Sequence, residues 1–225
     1  MKFIKKNWIL VFAIAYGVYA NLPFLAPVFM HLGWQAPGNA IYFIYSFLCH
    51  QLPERSFFLF GPKLTYSIAE IGATGLDTGN ILSLRHFIGN DLMGWKVAWS
   101  DRMVSMFTSI WVFGILWWPF RKRLPRLPIW AFILFLLPMA LDGGTHFLSD
   151  LAGIEQGFRQ TNLWLVPLTH NIFPPQFYAG NAWGSFNSLM RLLTGVLFGL
   201  GFVWFVFPYL DDALSETAPT IRSIS

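Results

Sequence analysis

The stretch Leu192–Leu210, LLTGVLFGLGFVWFVFPYL, decides the fold, because it is a predominantly apolar run without one charged side chain. A helix needs about 20 predominantly apolar residues to cross the hydrocarbon core of a bilayer. Further stretches without Asp, Glu, Lys or Arg lie between Lys6 and Glu54 and between Arg102 and Arg121. The sequence therefore predicts a protein that crosses a membrane several times as α-helices.

The composition of the chain points to lipid rather than water as its surroundings. Only 12% of the 225 residues are charged, whereas 55% are hydrophobic and 19% are aromatic. A soluble protein has about 25% charged residues. Much of the net charge of +4 comes from the N-terminal lysines and the run Arg121–Arg126, which indicates membrane topology and not nucleic-acid binding. With Cys49 as its single cysteine, one chain forms neither an internal disulfide nor a cysteine-cluster metal site.

The apolar runs predict an all-α membrane protein, a bundle of about four transmembrane helices plus a re-entrant or interfacial helical segment. The chain, residues 1–225, is expected to form a single membrane domain. We expect spans at about 8–32, 103–120, 127–148 and 186–210, the re-entrant or interfacial segment at about 40–60, and outer loops at 62–100 and 149–184. The segment at 40–60 leaves two alternatives, since it either turns at Pro53 or continues through Glu54 and Arg55.

Lysine and arginine residues in short flanking segments indicate the orientation, because they are enriched on the cytoplasmic side. Both chain termini and the Arg121–Arg126 turn are therefore predicted to be cytoplasmic, with the spans in an inner (cytoplasmic) membrane. The basic start followed by the apolar stretch Trp8–Leu32 resembles a signal peptide, but this stretch is too long for one. We expect it to be a retained first helix.

Two charged residues fall inside predicted spans on the outer side. Asp142 lies about six residues before the outer end of its helix and Arg191 about five residues after the outer start of the next, so the helical rise places them at similar depth. An ion pair between them is the least costly way to hold either charge in a membrane. The pair either only staples the helices together or belongs to a working site, and both alternatives stay open.

Polar and small residues at a spacing of four connect this pair with the other spans. Such stripes occur on three spans: Asn187, Arg191, Gly195 and Gly199; Arg102, Ser105 and Ser109; and, more weakly, Ala13, Gly17 and Asn21. Small residues allow membrane helices to approach closely. The four spans are therefore predicted to converge on one polar pocket in the outer half of the membrane.

The polar residues on this side are the candidates for chemistry. The catalytic candidates are His50, Glu54, Asp142 and His146, with Asp150 or His170 as further members, and the predicted structural polar cluster contains Cys49, Arg55, Asp101, Arg102, Asp142, Asn187 and Arg191. Histidine and carboxylate ligands suit zinc or another divalent ion. Because no metal-binding spacing is present, we expect no tight metal site in a single chain, and the sequence identifies no cofactor. The alternative is that these charges only neutralise one another.

Two groups of motifs resemble a known family. The first is Cys49-His50-Gln51 followed by Pro53-Glu54-Arg55-Ser56-Phe57-Phe58-Leu59-Phe60-Gly61, and the second is Pro138, Leu141-Asp142-Gly143-Gly144-Thr145, Asn187, Arg191 and Thr194-Gly195. They resemble a bacterial family of predicted multi-pass membrane proteins, domain of unknown function 2085. The motifs touch most of the chain, and the first is quite specific. The resemblance implies a helical membrane protein, and it brings no established activity with it.

The chain also departs from that family. Members usually carry a Cys-x-x-Cys-like element, often Cys-Ala-Arg-Cys, where this chain has Ser100-Asp101-Arg102-Met103. A zinc site with one histidine and three cysteines, which the resemblance would allow in the relatives, loses two ligands here. Asp101 offers an oxygen ligand instead, but Met103 is a poor ligand for a hard divalent ion. Together with the long stretch Pro62–Trp95, these losses favour a binding or subunit role over catalysis.

The sequence leaves three functions open. The first is an integral membrane protein acting as a non-catalytic subunit or assembly partner of a larger membrane complex, with the lipid bilayer and other membrane protein subunits as partners. Its support is the aromatic surface that 24 Phe and 11 Trp offer for packing. The second is a membrane-embedded metal or acid–base enzyme acting on a lipid or small substrate at the outer leaflet. The third is a small transporter with a re-entrant segment. No nucleic-acid partner is expected.

Overall fold

The computed structural model describes residues 7–153 and 156–215. In chain order the elements are α1 (Trp8–Asn21), a 3₁₀ turn (Leu22–Phe24), α2 (Leu25–His31), α3 (Gln35–Ser46), a 3₁₀ turn (Pro53–Arg55), β1 (Ser56–Leu59), α4 (Ile68–Gly72), α5 (Ile81–His86), β2 (Gly89–Asn90), β3 (Gly94–Ser100), α6 (Asp101–Phe120), α7 (Ile129–Asp150), α8 (Leu165–Leu168), α9 (Pro175–Tyr178) and α10 (Phe186–Ser215). Lys2, Lys5 and Lys6, on which the predicted orientation partly rests, lie outside the described residues.

Four helical segments are long and apolar enough to cross a membrane: Trp8–His31, α6, α7 and Phe186–Leu214. The predicted class, an all-α membrane protein with about four spans, is confirmed. The first span is interrupted by the 3₁₀ turn that contains Pro23, since proline lacks the N–H that a continuous helix requires. The last helix continues past residue 210, where Asp211 accepts a hydrogen bond from Trp8 Nε1 at 2.9 Å.

The spans α6 and α10 pack closely because glycines on one face serines on the other. A Cβ atom on Gly195 would lie 2.0 Å from Ser105 Oγ, and one on Gly199 would lie 2.0 Å from Ser109 Oγ. The Ser109 hydroxyl also donates across the interface to the Gly195 carbonyl oxygen at 3.3 Å. The predicted small-residue stripe of the last span therefore forms a helix–helix interface.

The span containing α1 packs on α6 through an aromatic side chain. Trp111 Nε1 donates to the Ala13 carbonyl oxygen at 2.8 Å, and Gly17 leaves room for the indole, since a Cβ there would lie 2.6 Å from Nε1. Asn21 Nδ2 donates within its own helix to the Gly17 carbonyl oxygen. The prediction that this stripe lines a shared polar pocket is wrong, because Ala13, Gly17 and Asn21 do not line the polar cavity described below.

Between the first two spans, the chain forms the short helices α3, α4 and α5 and a three-stranded antiparallel sheet in the order β1-β3-β2. In this sheet Ser56 lies opposite Ser100 and Leu59 lies opposite Trp95. Of the segment 40–60, which was predicted to be helical, the residues up to Ser46 lie in α3. The stretch 62–100, which was predicted to be a loop, contains helices and strands. With 12 residues, α3 is too short to cross a bilayer. Its re-entrant or interfacial position stays a prediction.

The fully buried Trp99 of β3 connects this region with the spans. Its ring packs against Tyr45 of α3 at a centroid distance of 4.7 Å and against Phe107 of α6 at 4.8 Å. The Tyr45 hydroxyl donates to the Tyr19 carbonyl oxygen in α1 at 2.8 Å. Buried aromatic pairs of this kind add to the stability gained from their area alone. Because β3 runs directly into α6, this packing also fixes the position at which α6 begins.

Lys96 lies in the middle of β3 and is completely buried. Its Nζ donates to the Gln51 carbonyl oxygen at 2.6 Å and to the Arg85 carbonyl oxygen at 2.9 Å. Burial lowers the pKa of Lys96 to about 7; the charges of Glu54 and Cys49 act in the opposite direction, and that of Arg85 lowers the pKa further. The folded protein therefore binds a proton at Lys96 more weakly than the unfolded chain does.

We predict that Lys96 makes the folded state more stable as the pH rises from about 7 toward the ordinary lysine value of 10.5. In this window the unfolded chain binds more protons than the folded one, so the slope approaches about 1.4 kcal/mol per pH unit. Below pH 7 both states are protonated and the slope from Lys96 disappears. Unfolding in detergent between pH 7 and 9.5 measures this slope.

The matched variants are Lys96→Met and Lys122→Met, the latter at an exposed position. We expect the slope to be lost in the first variant and kept in the second. An unchanged slope in Lys96→Met would show that another group causes the pH dependence.

Candidate functional site

Charged side chains gather at the end of the bundle where α6 begins, α7 ends and α10 begins. The charge cluster consists of Arg55, Asp101, Arg102, Asp142, Asp150, Arg159 and Arg191. Asp101 is the first residue of α6 and follows the last residue of β3, Ser100. The sheet and three spans therefore contribute to one site.

Arg191 of α10 pairs with Asp101 of α6, and both side chains are buried. Arg191 Nε lies 2.8 Å from Asp101 Oδ1, and Nη2 lies 2.7 Å from Oδ2. Arg191 Nη1 donates to Asn181 Oδ1 at 2.8 Å. Each nitrogen of this guanidinium thus has an acceptor, and the pair is a closed structural contact.

Asp142 of α7 accepts hydrogen bonds from two other arginines. Arg102 Nη2 lies 2.7 Å from Oδ2, and Arg159 Nη2 lies 2.5 Å from Oδ1. The predicted Asp142–Arg191 ion pair is therefore wrong. The prediction used only depth along the helices, and depth does not determine which way each helix turns its side chain. In the structure, Arg191 forms its ion pair with Asp101 instead.

Arg55 completes the charge cluster beside the end of α7. Its Nη1 and Nη2 bind the two carboxylate oxygens of Asp150 at 2.8 and 2.7 Å. Glu54 lies next to it, 3.5 Å from Arg55 Nε, but both of its carboxylate oxygens are buried without a hydrogen-bond partner among the described residues. Burial raises the pKa of Glu54. Glu54 is therefore a weaker counter-ion than the three aspartates.

The charge cluster has more arginines than aspartates. Its pairs are Arg191 with Asp101, Arg55 with Asp150, and both Arg102 and Arg159 with Asp142. One carboxylate compensates one positive charge, so the two arginines at Asp142 share a single counter-ion. Arginine stays protonated in proteins. The part of the charge cluster around Asp142 therefore favours a further negative charge.

A cavity of about 250 Å³ lies beside the charge cluster. It is lined by His50, Arg55, Ser100, Asp101, Arg102, Met103, Gly143, His146, Phe147, Asp150 and Arg191. Arg102 Nε is buried without a hydrogen-bond partner in the described part of the chain. Gly143 allows this arginine to approach, since a Cβ there would lie 2.7 Å from Arg102 Nη1. The cavity is thus lined by an arginine that shares its only carboxylate partner, Asp142, with Arg159.

Two histidines face this cavity, and their hydrogen bonds indicate how each is protonated. The Leu52 backbone N–H donates to His50 Nδ1 at 3.2 Å, so neutral His50 carries its proton on Nε2. His146 Nε2 lies 3.1 Å from Arg159 Nη2, which is always a donor, so neutral His146 carries its proton on Nδ1. His50 therefore offers an N–H donor on Nε2 beside the arginines, whereas Nε2 of His146 is already engaged by Arg159.

The other predicted site residues have different surroundings. Cys49 is buried, and its Sγ accepts hydrogen bonds from the backbone N–H groups of Gln51 and Ser100. Asn187 Nδ2 donates to the Arg159 carbonyl oxygen at 2.6 Å. His170 lies in the turn after α8 and does not line the cavity.

The positions that the family resemblance associates with zinc do meet in the structure. Cys49 Sγ lies 3.5 Å from Ser100 Oγ, and His50, Ser100 and Met103 line the same cavity. Within residues 7–153 and 156–215, however, no three His, Cys, Asp or Glu side chains are placed to hold a metal ion. Serine and methionine thus stand where the resemblance would place cysteines.

Sequence reasoning missed Arg159, which comes from the loop between α7 and α8. Its backbone N–H donates to Ser149 Oγ at 3.0 Å, and its carbonyl oxygen accepts from Asn162 and Asn187. These contacts fold the loop back onto α7 and α10. The available signal was weak: one arginine close to Ser149 and Asn162 in a loop of unknown path.

We predict strong energetic coupling between Asp101 and Arg191. Asp101→Asn and Arg191→Gln should each destabilise the protein by about 3 to 5 kcal/mol, because each leaves a buried charge without its partner. The double variant should cost clearly less than the sum of the two. Unfolding in detergent measures all four proteins.

The control cycle combines Arg191→Gln with Asp212→Asn at the far end of α10, where effects should add within about 0.5 kcal/mol. Asp142→Asn with Arg191→Gln should show weaker coupling than the Asp101 cycle. Equal coupling in these two cycles would contradict the pairing described here.

Comparison with known proteins identifies the family. A family model described as a predicted membrane protein, domain of unknown function 2085, matches residues 90–205. A protein of Methanocaldococcus jannaschii that is described as uncharacterized is 29% identical over 163 residues, which cover 69% of this chain and 80% of that protein. No solved structure matches the chain. Since the model covers more than half of the sequence, the chain belongs to the family of predicted membrane proteins called domain of unknown function 2085.

Proposed function

We propose that this membrane protein binds a small oxyanion, a phosphate or carboxylate group, in the cavity beside the charge cluster. The observation that carries the proposal is the sharing of Asp142 by Arg102 and Arg159. Arg102 lines the cavity and has a buried Nε without an acceptor in the described residues. A bound anion would supply the missing negative charge and would contact the accessible part of the Arg102 side chain, which is 19% exposed.

The chemistry of the cavity supports this class of ligand. The planar guanidinium group matches the geometry of carboxylate and phosphate oxygens. The neutral ring of His50, which lines the cavity, adds an N–H donor for a bound oxyanion. Removal of water strengthens such contacts, because the local dielectric constant is low. The bound group therefore belongs to an anionic solute or to the head of an anionic amphiphile.

We further propose that the cavity faces the non-cytoplasmic side of a prokaryotic cytoplasmic membrane. The basic turn Arg121–Arg126 lies between the end of α6 and the start of α7, at the opposite end of these helices from the charge cluster. Positive residues in short loops are enriched on the cytoplasmic side. Both chain termini are then cytoplasmic as well.

Cysteine labelling tests this orientation. In a Cys49→Ser background, a reagent that cannot cross membranes should label a cysteine at Thr161 in intact cells and leave one at Lys122 unlabelled. Both positions should react after the membrane is permeabilised. Labelling at Lys122 but not at Thr161 in intact cells would show the inverted topology.

A second candidate function is that of a subunit in a larger membrane complex. It is favoured by large apolar side chains that are exposed outside the spans, namely Phe43, Ile44, Phe47, Leu48 and Leu92. Phe47, for example, is 75% exposed. Such a surface fits another protein or the outer part of a bilayer.

We predict that phosphate stabilises the purified protein against thermal unfolding in mild detergent, relative to chloride at equal ionic strength. The stabilisation should saturate and reach about 2.7 kcal/mol at a concentration 100 times the dissociation constant. Arg102→Gln should abolish it, and Arg102→Lys should weaken it while keeping the charge beside Asp142. Arg126→Gln, at an exposed arginine in the other turn, should respond like the wild type.

A wild-type protein that phosphate and acetate leave unchanged would refute anion binding in the cavity. The same refutation would follow if Arg102→Gln responded like the wild type. The purification also compares the two candidates, since a stoichiometric protein partner would favour the subunit role and a monomer would not.

A further inference from the structure

A groove that is larger than the cavity beside the charge cluster lies between α7 and α10. It measures about 680 Å³, and its walls are formed by Pro138, Leu141 and Thr145 of α7 and by Phe186, Met190 and Thr194 of α10. Leu141 is largely exposed on the outside of the bundle. Because both helices are membrane spans, the molecules that reach this groove are lipids and the apolar parts of amphiphiles.

The groove contains charged side chains at the end where it meets the charge cluster. Arg159 and Asp142 line it there together with Phe158 and Trp164. Arg159 is 7% exposed, and its Nε is buried without a hydrogen-bond partner in the described residues. Its guanidinium lies over the Phe186 ring, 5.4 Å from the centroid. An apolar groove thus ends at a buried cation that shares its counter-ion with Arg102.

This groove is separate from the cavity of the proposed anion site. Residues Gly143 and Phe147 of α7 face that cavity, whereas Leu141 and Thr145 face the groove. The buried side chains Asp142 and His146 lie between the two faces. Of the two arginines at Asp142, Arg102 therefore lines the cavity of the proposed anion site, and Arg159 lines the groove.

The chemistry of the groove specifies its occupant. An uncharged lipid, or a partner helix without an acidic side chain, would cover the apolar walls and leave the two arginines at Asp142 with one counter-ion. An anionic phospholipid adds a net negative charge, whereas the choline of a zwitterionic phospholipid already neutralises its phosphate, and basic pockets between membrane helices bind anionic heads. Aromatic side chains near the head group suit the membrane interface.

We propose that the groove binds one anionic phospholipid from the leaflet at this end of the bundle, with its phosphate at Arg159 and an acyl chain between α7 and α10. The site goes beyond the proposed oxyanion cavity and does not depend on it. It gives the bundle a lipid that closes the gap between two spans.

Native mass spectrometry of the full-length protein in mild detergent tests this site, with phosphatidylglycerol and phosphatidylcholine added at equal concentrations. We expect one phosphatidylglycerol per chain and at least tenfold weaker binding of phosphatidylcholine. Arg159→Gln should weaken phosphatidylglycerol at least tenfold. Thr145→Trp, which fills the groove, should have a similar effect, whereas the control Ile133→Trp, about three turns away on a different, exposed face of α7, should bind like the wild type.

Equal binding of the two lipids would overturn the proposal, and so would Thr145→Trp binding phosphatidylglycerol as well as Ile133→Trp does. If Arg159→Gln fails to fold, the comparison of the two tryptophan variants still decides. Arg102→Gln separates the two sites: it should lose the response to phosphate and keep phosphatidylglycerol. Loss of bound phosphatidylglycerol in folded Arg102→Gln would contradict a separate lipid site at Arg159.

Discussion

The ion pair of Asp101 and Arg191 is the contact on which the arrangement of the bundle depends. An arginine inside a membrane span requires an acidic partner, and Asp101 provides it at the point where β3 passes into α6. This pairing sets the face that α10 turns toward α6. One and two turns further along α10, Gly195 and Gly199 therefore meet Ser105 and Ser109. Charge pairing and close helix packing are thus two consequences of one rotational setting of α10.

Asp142 plays a different part, because its neighbours do not form a closed set. At Asp101 the guanidinium nitrogens of Arg191 all have acceptors. At Asp142 two arginines share one carboxylate, and the Nε atoms of both are left without acceptors in the described residues. The Asp101 part of the charge cluster holds helices together, and we propose that the Asp142 part binds an anion. Under this proposal, the two alternatives that the sequence leaves open apply to different aspartates.

The spans could be predicted because a run of about 20 apolar residues is a local signal. The pairing of charges could not, since the rise of a helix gives depth and leaves its rotation open. The role of Arg159 could not be predicted either, because its position depends on how the loop after α7 folds back onto Asn187. The strand β3 could not be recognised from the sequence either. Its residues Val97, Ala98 and Trp99 are all fully buried, so the alternation that marks a half-buried strand is absent.

The segment before β1 then explains how the region between the first two spans contributes to the cavity. The Ser100 backbone N–H donates to Cys49 Sγ, which holds this segment against the start of α6, and the Leu52 N–H fixes the ring of His50. His50 and Arg55 thus form one wall of the cavity. They lie outside residues 90–205, the part that the family model matches, whereas Arg102, Arg159 and Arg191 lie inside it. The proposed anion site therefore combines Arg102 from the matched part of the chain with Arg55 and His50 from the segment that precedes it.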